Sequence, residues 1–373
     1  MKKIYDLQAE QNKKTRAFLV GLPLLQNPGG LAELDGLVWT LGMEVAGQMI
    51  LQRLDVQPAY GMGSGKAKEI CDAAQMAEAD CIIMDWELDP TKQRNWEKLA
   101  KIPVFDRQEV IIRIFASRAS TKEAVLQVEL ARLEYSLPRL AHMYGDLARQ
   151  RGGNYGSKGA GEKQLELDRR QTRLKIQQLK EELKKVRQNR ATQRKRRQKI
   201  PLPTIALCGY TNAGKSSLMN ALTGSDTLVE NKLFATLDPL TRRIKIAGCE
   251  ILLTDTVGFI SNLPHQLIDA FKSTLEEAAI SDALLIVIDA SDPDSLAQAK
   301  TVKDVLEEIG AGKKKTIVAL NKIDALEAFE DKAQAALLLS SLKAQFDGAI
   351  EISAKTGLGL GLLKERISAI IKE

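Results

Sequence analysis

Gly209-Tyr210-Thr211-Asn212-Ala213-Gly214-Lys215-Ser216 is the stretch that decides the fold of this chain. It follows an apolar run, TIALC (204–208), and opens a segment with helical spacing, SSLMNALTG (216–224). G-x-x-x-x-G-K-S between a strand and a helix reads as a P-loop. Its glycines let backbone N–H groups wrap phosphates, and the helix N-terminus adds a favourable dipole. Lys215 is expected at the β- and γ-phosphates and Ser216 at a Mg²⁺ ion. Gly209, Asn212, Ala213, Gly214 and Ser217 complete the expected cradle. The bland alternative is a glycine turn in a structural loop, and the strand before and helix after argue against it.

Outward from the motif, the chain alternates strictly from residue 204. TIALCGY, RRIKIAG, EILLTDT, ALLIVIDA, KTIVALN and AIEISA read as strands with helices among them, and LLKERISAIIKE as the last helix. The pattern predicts a doubly wound α/β domain with a mostly parallel sheet over 201–373, and the motifs that follow make it a P-loop GTPase domain. Asn321-Lys322-Ile323-Asp324 ends the strand KTIVAL, at the carboxyl edge where such sheets bind ligands. An aspartate there can accept from the N1 and N2 donors of guanine together. Adenine lacks that pair and would leave the carboxylate unmatched. Ser353-Ala354-Lys355 follows the last strand and can offer a backbone N–H to guanine O6. Taken in order, these motifs predict GTP as substrate and GDP as product.

Asp255-Thr256-Val257-Gly258 follows the strand EILLT. Asp255 is expected to hold Mg²⁺ through water, and the Gly258 N–H to touch the γ-phosphate. Thr236, in FATLDP (234–239), sits where a switch threonine senses γ-phosphate and Mg²⁺. The expected catalytic set is therefore Lys215, Thr236 and Gly258, and the expected metal set Ser216, Thr236 and Asp255. Phe259 follows Gly258, where many regulatory GTPases place the glutamine that orients the attacking water. Phenylalanine cannot orient water, so slow intrinsic hydrolysis is expected, completed by a partner or a rearranged loop; the bland alternative, compatible with it, is that Phe259 simply packs in switch II.

Upstream, RAFLVGLPLL (16–25), DCIIMDW (80–86) and IPVFDR (102–107) read as buried strands, and 29–52 and 66–79 as helical in part. They predict a small α/β domain over 1–120 with no catalytic constellation. GMGSGK (61–66) has the wrong spacing for a second P-loop and reads as a glycine turn opening a helix. Over 121–200 a different pattern takes over. Leu126, Leu130, Leu133, Leu137 and Leu140, then Tyr144 and Leu147, form one helical seam; Ile176, Leu179, Leu183 and Val186 form another. The glycine-rich RGGNYGSKGAGEK (151–163) lies between them, which predicts a long antiparallel hairpin with a glycine-rich basic tip. Pro138 should kink or split its first helix.

Residues 183–200 carry nine Lys/Arg and no acidic residue before Pro201 and Pro203. A solvated helix end and contact with an RNA backbone are both open readings of that run. Over all 373 residues, 44% hydrophobic and 27% charged residues with a net charge of +6 fit a soluble globular protein with a mild basic bias. No apolar run long enough to span a membrane exists, and the N-terminus lacks an apolar signal segment. Cys71, Cys81, Cys208 and Cys249 lack metal or disulfide spacing and read as reduced, buried thiols of a cytoplasmic protein. With only two histidines, no histidine-based metal site is expected.

The set GYTNAGKSSLMNALTG, FATLDP, DTVGFI, NKID and SAKTG resembles the translation-factor-related GTPases that carry a hydrophobic residue in place of the catalytic glutamine. Within them, LQVELARLEYSLPRL, the glycine-rich loop, QLELDRR (164–170) and YGMGSGKAKEI (60–70) are similar to the HflX family. The resemblance implies a ribosome-binding GTPase that reaches large-subunit rRNA near the peptidyl-transferase centre. It also implies a role in splitting or rescuing ribosomes, often under stress. Asn212 matches the P-loop asparagine of relatives that use K⁺. Gly152, Gly153, Gly156, Gly159, Gly161 and Glu162 keep the frame of the family's hairpin loop, with Lys158 and Ala160 where Arg and Pro are usual. Many bacterial members carry a further C-terminal domain, whose contacts are expected to be absent or replaced here. A monomer is expected. Two other readings stay open: a ribosome-assembly or RNA-modification GTPase, and a nucleotide-gated RNA-binding adaptor.

Overall fold

The computed structural model describes residues 14–22, 31–53, 57, 59–150, 158–197, 202–224, 233–234, 240–246, 248–261, 277–327, 329 and 331–372. Two compact units divide the chain. One comprises Met1–Ser117 with Glu129–Leu179, the other Arg118–Val128 with Lys180–Glu373.

In the first unit, β1 (Arg16–Gly21), β2 (Glu44–Ile50), β3 (Cys81–Met84) and β4 (Val104–Asp106) form an all-parallel sheet in the order β2-β1-β3-β4. Helices α1 (Ala32–Thr40), α2 (Ser64–Met76), α3 (Pro90–Ala100) and α4 (Arg107–Arg118) connect them. Phe18, Val20, Ile70, Ile82, Met84 and Trp96 form the core on one face. The stretch 29–52, expected to be helical in part, instead yields α1 and then the strand β2. Glu44, Gly47 and Gln48 break any apolar run there, and β2 is a half-exposed edge strand fixed by its register on β1. Gly61 has φ +77° and Gly63 caps α2, so GMGSGK is a turn that opens a helix.

Helix α5 (Lys122–Gln150) runs through Pro138 without being split. Tyr135 and Arg139 hold that turn: Tyr135 Oη donates to Asp106 Oδ1 at 2.9 Å, and Arg139 Nη2 donates to Asp106 Oδ2 at 3.1 Å and to the Leu88 carbonyl at 2.8 Å. The leucine seam is only half of the helix. Ala131 and Tyr135 are more buried than Leu133 and Leu137, because they face the α/β unit. Helix α6 (Lys158–Arg197) lies beside α5, with Lys175 Nζ 2.7 Å from Glu129. Ile176, Leu179 and Leu183 are buried and Val186 half-buried. The glycine-rich segment is shorter than the sequence suggested, since helix begins at Lys158; residues 151–157 lie outside the described residues.

The second unit holds a six-stranded sheet, β10-β9-β8-β5-β7-β6. Its strands are β5 (Thr204–Gly209), β6 (Leu240–Ile246), β7 (Cys249–Asp255), β8 (Ala283–Asp289), β9 (Lys315–Asn321) and β10 (Ile350–Glu351). All pairs are parallel except the β6–β7 edge hairpin. Helices α7 (Lys215–Thr223), α8 (Ser295–Glu308), α9 (Ile323–Glu327), α10 (Lys332–Gln345) and α11 (Leu360–Lys372) belong to this unit. Leu218, Met219, Leu363 and Ile367 pack on one side of the sheet, and Ala299, Leu326 and Leu342 on the other. With both faces covered, the central strands read as continuous apolar runs. All four cysteines are free thiols; Cys81 and Cys208 are buried as expected, whereas Cys71 and Cys249 are half-buried. No described helix is long and apolar enough to cross a membrane.

Candidate nucleotide-binding site

Four segments converge at the carboxyl ends of β5, β7, β9 and β10, the edge where a doubly wound sheet binds ligands. Gly209 ends β5 with φ +153°, and a Cβ there would lie 2.3 Å from the Val287 carbonyl oxygen. Asn212, with φ +61°, is exposed at the tip of the loop. Gly214 has φ +91° and begins α7, and a Cβ on it would lie 2.2 Å from Asn321 Nδ2. Neither glycine tolerates a side chain without moving backbone or a buried amide.

Lys215 is buried beneath the loop. Its Nζ donates to the carbonyls of Gly209 at 3.0 Å and Tyr210 at 2.8 Å. Burial lowers its pKa to about 8, against the opposing pull of Asp255. Ser216 Oγ lies 2.8 Å from Asp255 Oδ2, which brings together the hydroxyl and carboxylate singled out as metal ligands. Ser217 follows on the same turn, half-buried. Thr256 is tied to β5 by a 2.6 Å bond from its Oγ1 to the Leu207 carbonyl.

The segment after β7 extends along the P-loop. Phe259 N donates to Gly209 O at 3.1 Å, and Thr211 N donates to Phe259 O at 2.7 Å. Ser261 N donates to Tyr210 Oη at 2.6 Å. Phe259 itself is only 2% exposed, packed as a core residue and unable to present a polar group. Gly258 is wedged so closely that an added Cβ would meet Thr211 Cγ2 at 2.9 Å and Lys215 Nζ at 3.0 Å. Thr236 lies outside the described residues.

On the far side, Asn321 spans two loops. Its Nδ2 donates to Ala213 O at 2.9 Å, and its Oδ1 accepts from Ala354 N at 2.9 Å. Lys322, with φ +64°, pairs with Asp289 at 2.6 Å. Ser353 Oγ donates to Asp324 Oδ1 at 2.6 Å and accepts from Thr356 N at 3.0 Å, which fixes the carboxylate's orientation. Lys355 is exposed beside it. The structure thus brings together every described residue of the predicted set. Sequence reasoning missed three supports: Tyr210, the Lys322–Asp289 pair, and the dual role of Asn321. Tyr210 occupies a variable position of the motif, and Asp289 lies far from any motif, so neither carried a local signal.

The chain matches three family profiles in order. They are described as the N-terminal region of GTP-binding GTPases (residues 29–116), the middle region of GTP-binding GTPases (118–197) and a 50S ribosome-binding GTPase (204–322). A GTPase HflX of Akkermansia muciniphila is 45% identical over 372 residues, covering 96% of this chain and 84% of that protein. A GTPase HflX of Treponema denticola is 47% identical over 347 residues (91% and 87%), and that of Escherichia coli 41% over 348 (92% and 80%). A crystal structure of the SsGBP–GDP complex superposes with a TM-score of 0.53 at 29% identity, covering 96% of this chain and 98% of that one. With this identity over nearly its whole length, and with the G-x-x-x-x-G-K-S, DTVG, NKID and SAK segments gathered at one sheet edge, the chain belongs to the HflX family of GTP-hydrolysing enzymes.

Proposed function

We propose that this GTPase works on the ribosome, engaging large-subunit rRNA and splitting or rescuing ribosomes under stress, as a cytoplasmic monomer. The match of residues 204–322 to a profile described as a 50S ribosome-binding GTPase carries this reading. The basic end of α6, on a helix that runs to Arg197, supports it. Such a run suits contact with a phosphate backbone.

In the site, Gly209, Asn212, Ala213, Gly214, Lys215, Ser216 and Ser217 cradle the phosphates, with the Lys215 ammonium at the β- and γ-oxygens. The Gly258 N–H meets the γ-phosphate. Asp324 accepts from guanine N1 and N2, Ala354 donates its backbone N–H toward guanine O6, and Ser353 and Lys355 frame the base. Asn321 and Lys322 hold this loop against the P-loop. Ser216 and Asp255 are adjacent hard oxygen donors at the foot of the cradle, a donor set that fits Mg²⁺, with Thr236 as a third ligand. When bound, Mg²⁺ would supply neutralisation of the negative charge that develops on the phosphates. Asn212, exposed and in a left-handed conformation at the loop tip, is the position assigned to a K⁺ contact.

The test is GTP hydrolysis with and without mature ribosomes, in K⁺ and in Na⁺. Strong stimulation by ribosomes or large subunits is expected. No stimulation by any ribosomal particle would sink the reading. Cosedimentation with precursor particles or free RNA alone would favour an assembly role, and full function in a Lys215 variant that binds but does not hydrolyse GTP would favour an adaptor.

A further inference from the structure

We propose that Asp289 is a positioning residue for nucleotide binding, which pins the Lys322 ammonium so that the lysine stem lies beneath the nucleoside and slows GDP release. The inference rests on the assignment of the P-loop to the phosphates and of Asp324 and Ala354 to the base. Strand order supplies the geometry. In the sheet β10-β9-β8-β5-β7-β6, the base residues follow β9 and β10, and the P-loop follows β5. A nucleotide that reaches both must cross the end of β8. Asp289 is the last residue of β8 and pairs in register with Asn321, the last residue of β9. The next N–H, that of Ala290, donates to the Asn321 carbonyl at 2.9 Å.

Lys322 Nζ lies 2.6 Å from Asp289 Oδ2. The ammonium therefore sits at the end of β8 while its backbone follows β9, and the stem runs between the two strand ends. The other carboxylate oxygen, Oδ1, accepts from Ser291 N at 3.0 Å and from Ser291 Oγ at 2.6 Å. Ser291 thus orients the carboxylate and leaves one oxygen for the lysine. The Lys322 side chain is 30% exposed. So accessible an ion pair adds little to folding, and fixing a lysine stem costs rotamer entropy. The Lys322 backbone, at φ +64°, is also left-handed and strained, and a 3.3 Å bond from Ile323 N to Ile352 O holds the turn. Both features cost folding free energy with little gain, which favours a ligand role over a purely structural one.

A lysine stem held at both ends presents a fixed apolar strip to a nucleoside, with its charge neutralised at the far end. Because the stem is ordered before the ligand arrives, binding carries no further cost for ordering it. Asp289 exchanges no proton or bond with the nucleotide. Its effect falls on how long the nucleotide stays and not on cleavage of the β–γ bond. Without the carboxylate the stem is unpinned, and GDP and GTP are held less well to the same degree.

Asp289→Asn and Lys322→Met in the full chain test this, singly and together. D289N keeps an oxygen for Ser291 and loses the charge that holds the ammonium. It is expected to release a fluorescent GDP derivative at least fivefold faster, and to weaken GDP and a non-hydrolysable GTP analogue by the same factor. Single-turnover hydrolysis of bound GTP should stay within twofold, and the nucleotide-free protein should melt no lower than the unsubstituted one. K322M keeps an apolar stem without the ammonium, so the double variant should bind GDP no more than twofold weaker than K322M alone. The proposal is overturned by D289N release less than fivefold faster, by a double variant more than twofold weaker than K322M, by unequal losses of the two nucleotides, or by a D289N single-turnover rate changed more than twofold. A lower melting temperature in D289N also overturns it, since the loss is then structural. All of these outcomes presuppose GDP binding by the unsubstituted protein; its failure to bind GDP would instead overturn the assignment of the cradle itself.

Discussion

Asn321 Nδ2 lies 2.2 Å from the point where a Cβ on Gly214 would sit, and donates to the adjacent Ala213 carbonyl at 2.9 Å. The end of β9 and the P-loop are thereby locked into one rigid cradle, and the base loop joins them through Ala354 N. Gly214→Ala and Asn321→Ala should each weaken GDP binding at least tenfold. The first forces a clash in a left-handed backbone, and the second strands a buried carbonyl and a buried N–H, at about 1–3 kcal/mol each. Titration with a fluorescent GDP derivative checks both.

Base choice should follow Asp324. Its carboxylate is held by Ser353 Oγ at 2.6 Å, so it would present one orientation to a base. Asp324→Asn puts an amide donor where the guanine amino group donates, and an oxygen of xanthine would accept there instead. GTP affinity should fall by about 100-fold while xanthosine triphosphate becomes the better ligand, because an unmatched buried polar contact costs several kcal/mol. Competition binding with the two nucleotides measures the switch.

Lys215 should make the protein sensitive to alkaline pH. Burial takes its pKa from the ordinary 10.5 to about 8. Between those values the unfolded chain keeps a proton that the folded, nucleotide-free protein has released, so stability of the nucleotide-free form rises with pH across that window. Nucleotide binding runs the other way. Phosphate favours the charged lysine, so binding takes up a proton above pH 8, and GDP affinity should fall by up to about tenfold per pH unit there. In Lys215→Met both trends should flatten. Melting curves and GDP titrations from pH 7 to 10 resolve them.

Restoring a glutamine after Gly258 should not restore fast hydrolysis. Phe259 is 2% exposed, with its backbone paired to Gly209 and Thr211. Phe259→Gln would bury an amide in an apolar site and cost about 3 kcal/mol of stability, with no gain in basal kcat. A variant that is both stable and faster would contradict this packing.

The first unit has its own weak point. Arg107, 4% exposed, donates to Asp85 at 2.7 Å and to Glu33 at 2.5 Å. Arg107→Met leaves both carboxylates without this cation and should cost about 3–5 kcal/mol at neutral pH. Burial already holds Asp85 above its usual pKa despite Arg107. Without the cation the rise grows. A raised folded-state pKa contributes stability at low pH that is lost as pH rises, so the deficit should be larger at pH 8 than at pH 5. Urea midpoints at the two pH values provide the measurement.

By itself, the sequence determined the GTPase domain and its chemistry. G-x-x-x-x-G-K-S, NKxD and SAK each sit at a strand end, and strand ends are legible from apolar runs, so local order placed Lys215, Asp255, Asn321 and Asp324 on one sheet edge. It did not show β2, whose pairing with β1 is set by register across the chain and not by its own residues. Nor did it show that Pro138 leaves α5 undivided, since the bonds holding that turn run from Tyr135 and Arg139 to Asp106, 29 and 33 residues away. Within the site, the packing of Phe259 was an open reading of the sequence, and only the tertiary structure decided that it is buried against the P-loop and that Tyr210 clamps Ser261. Those contacts join segments about 50 residues apart, and burial is a property of what packs around a residue, which no local pattern records.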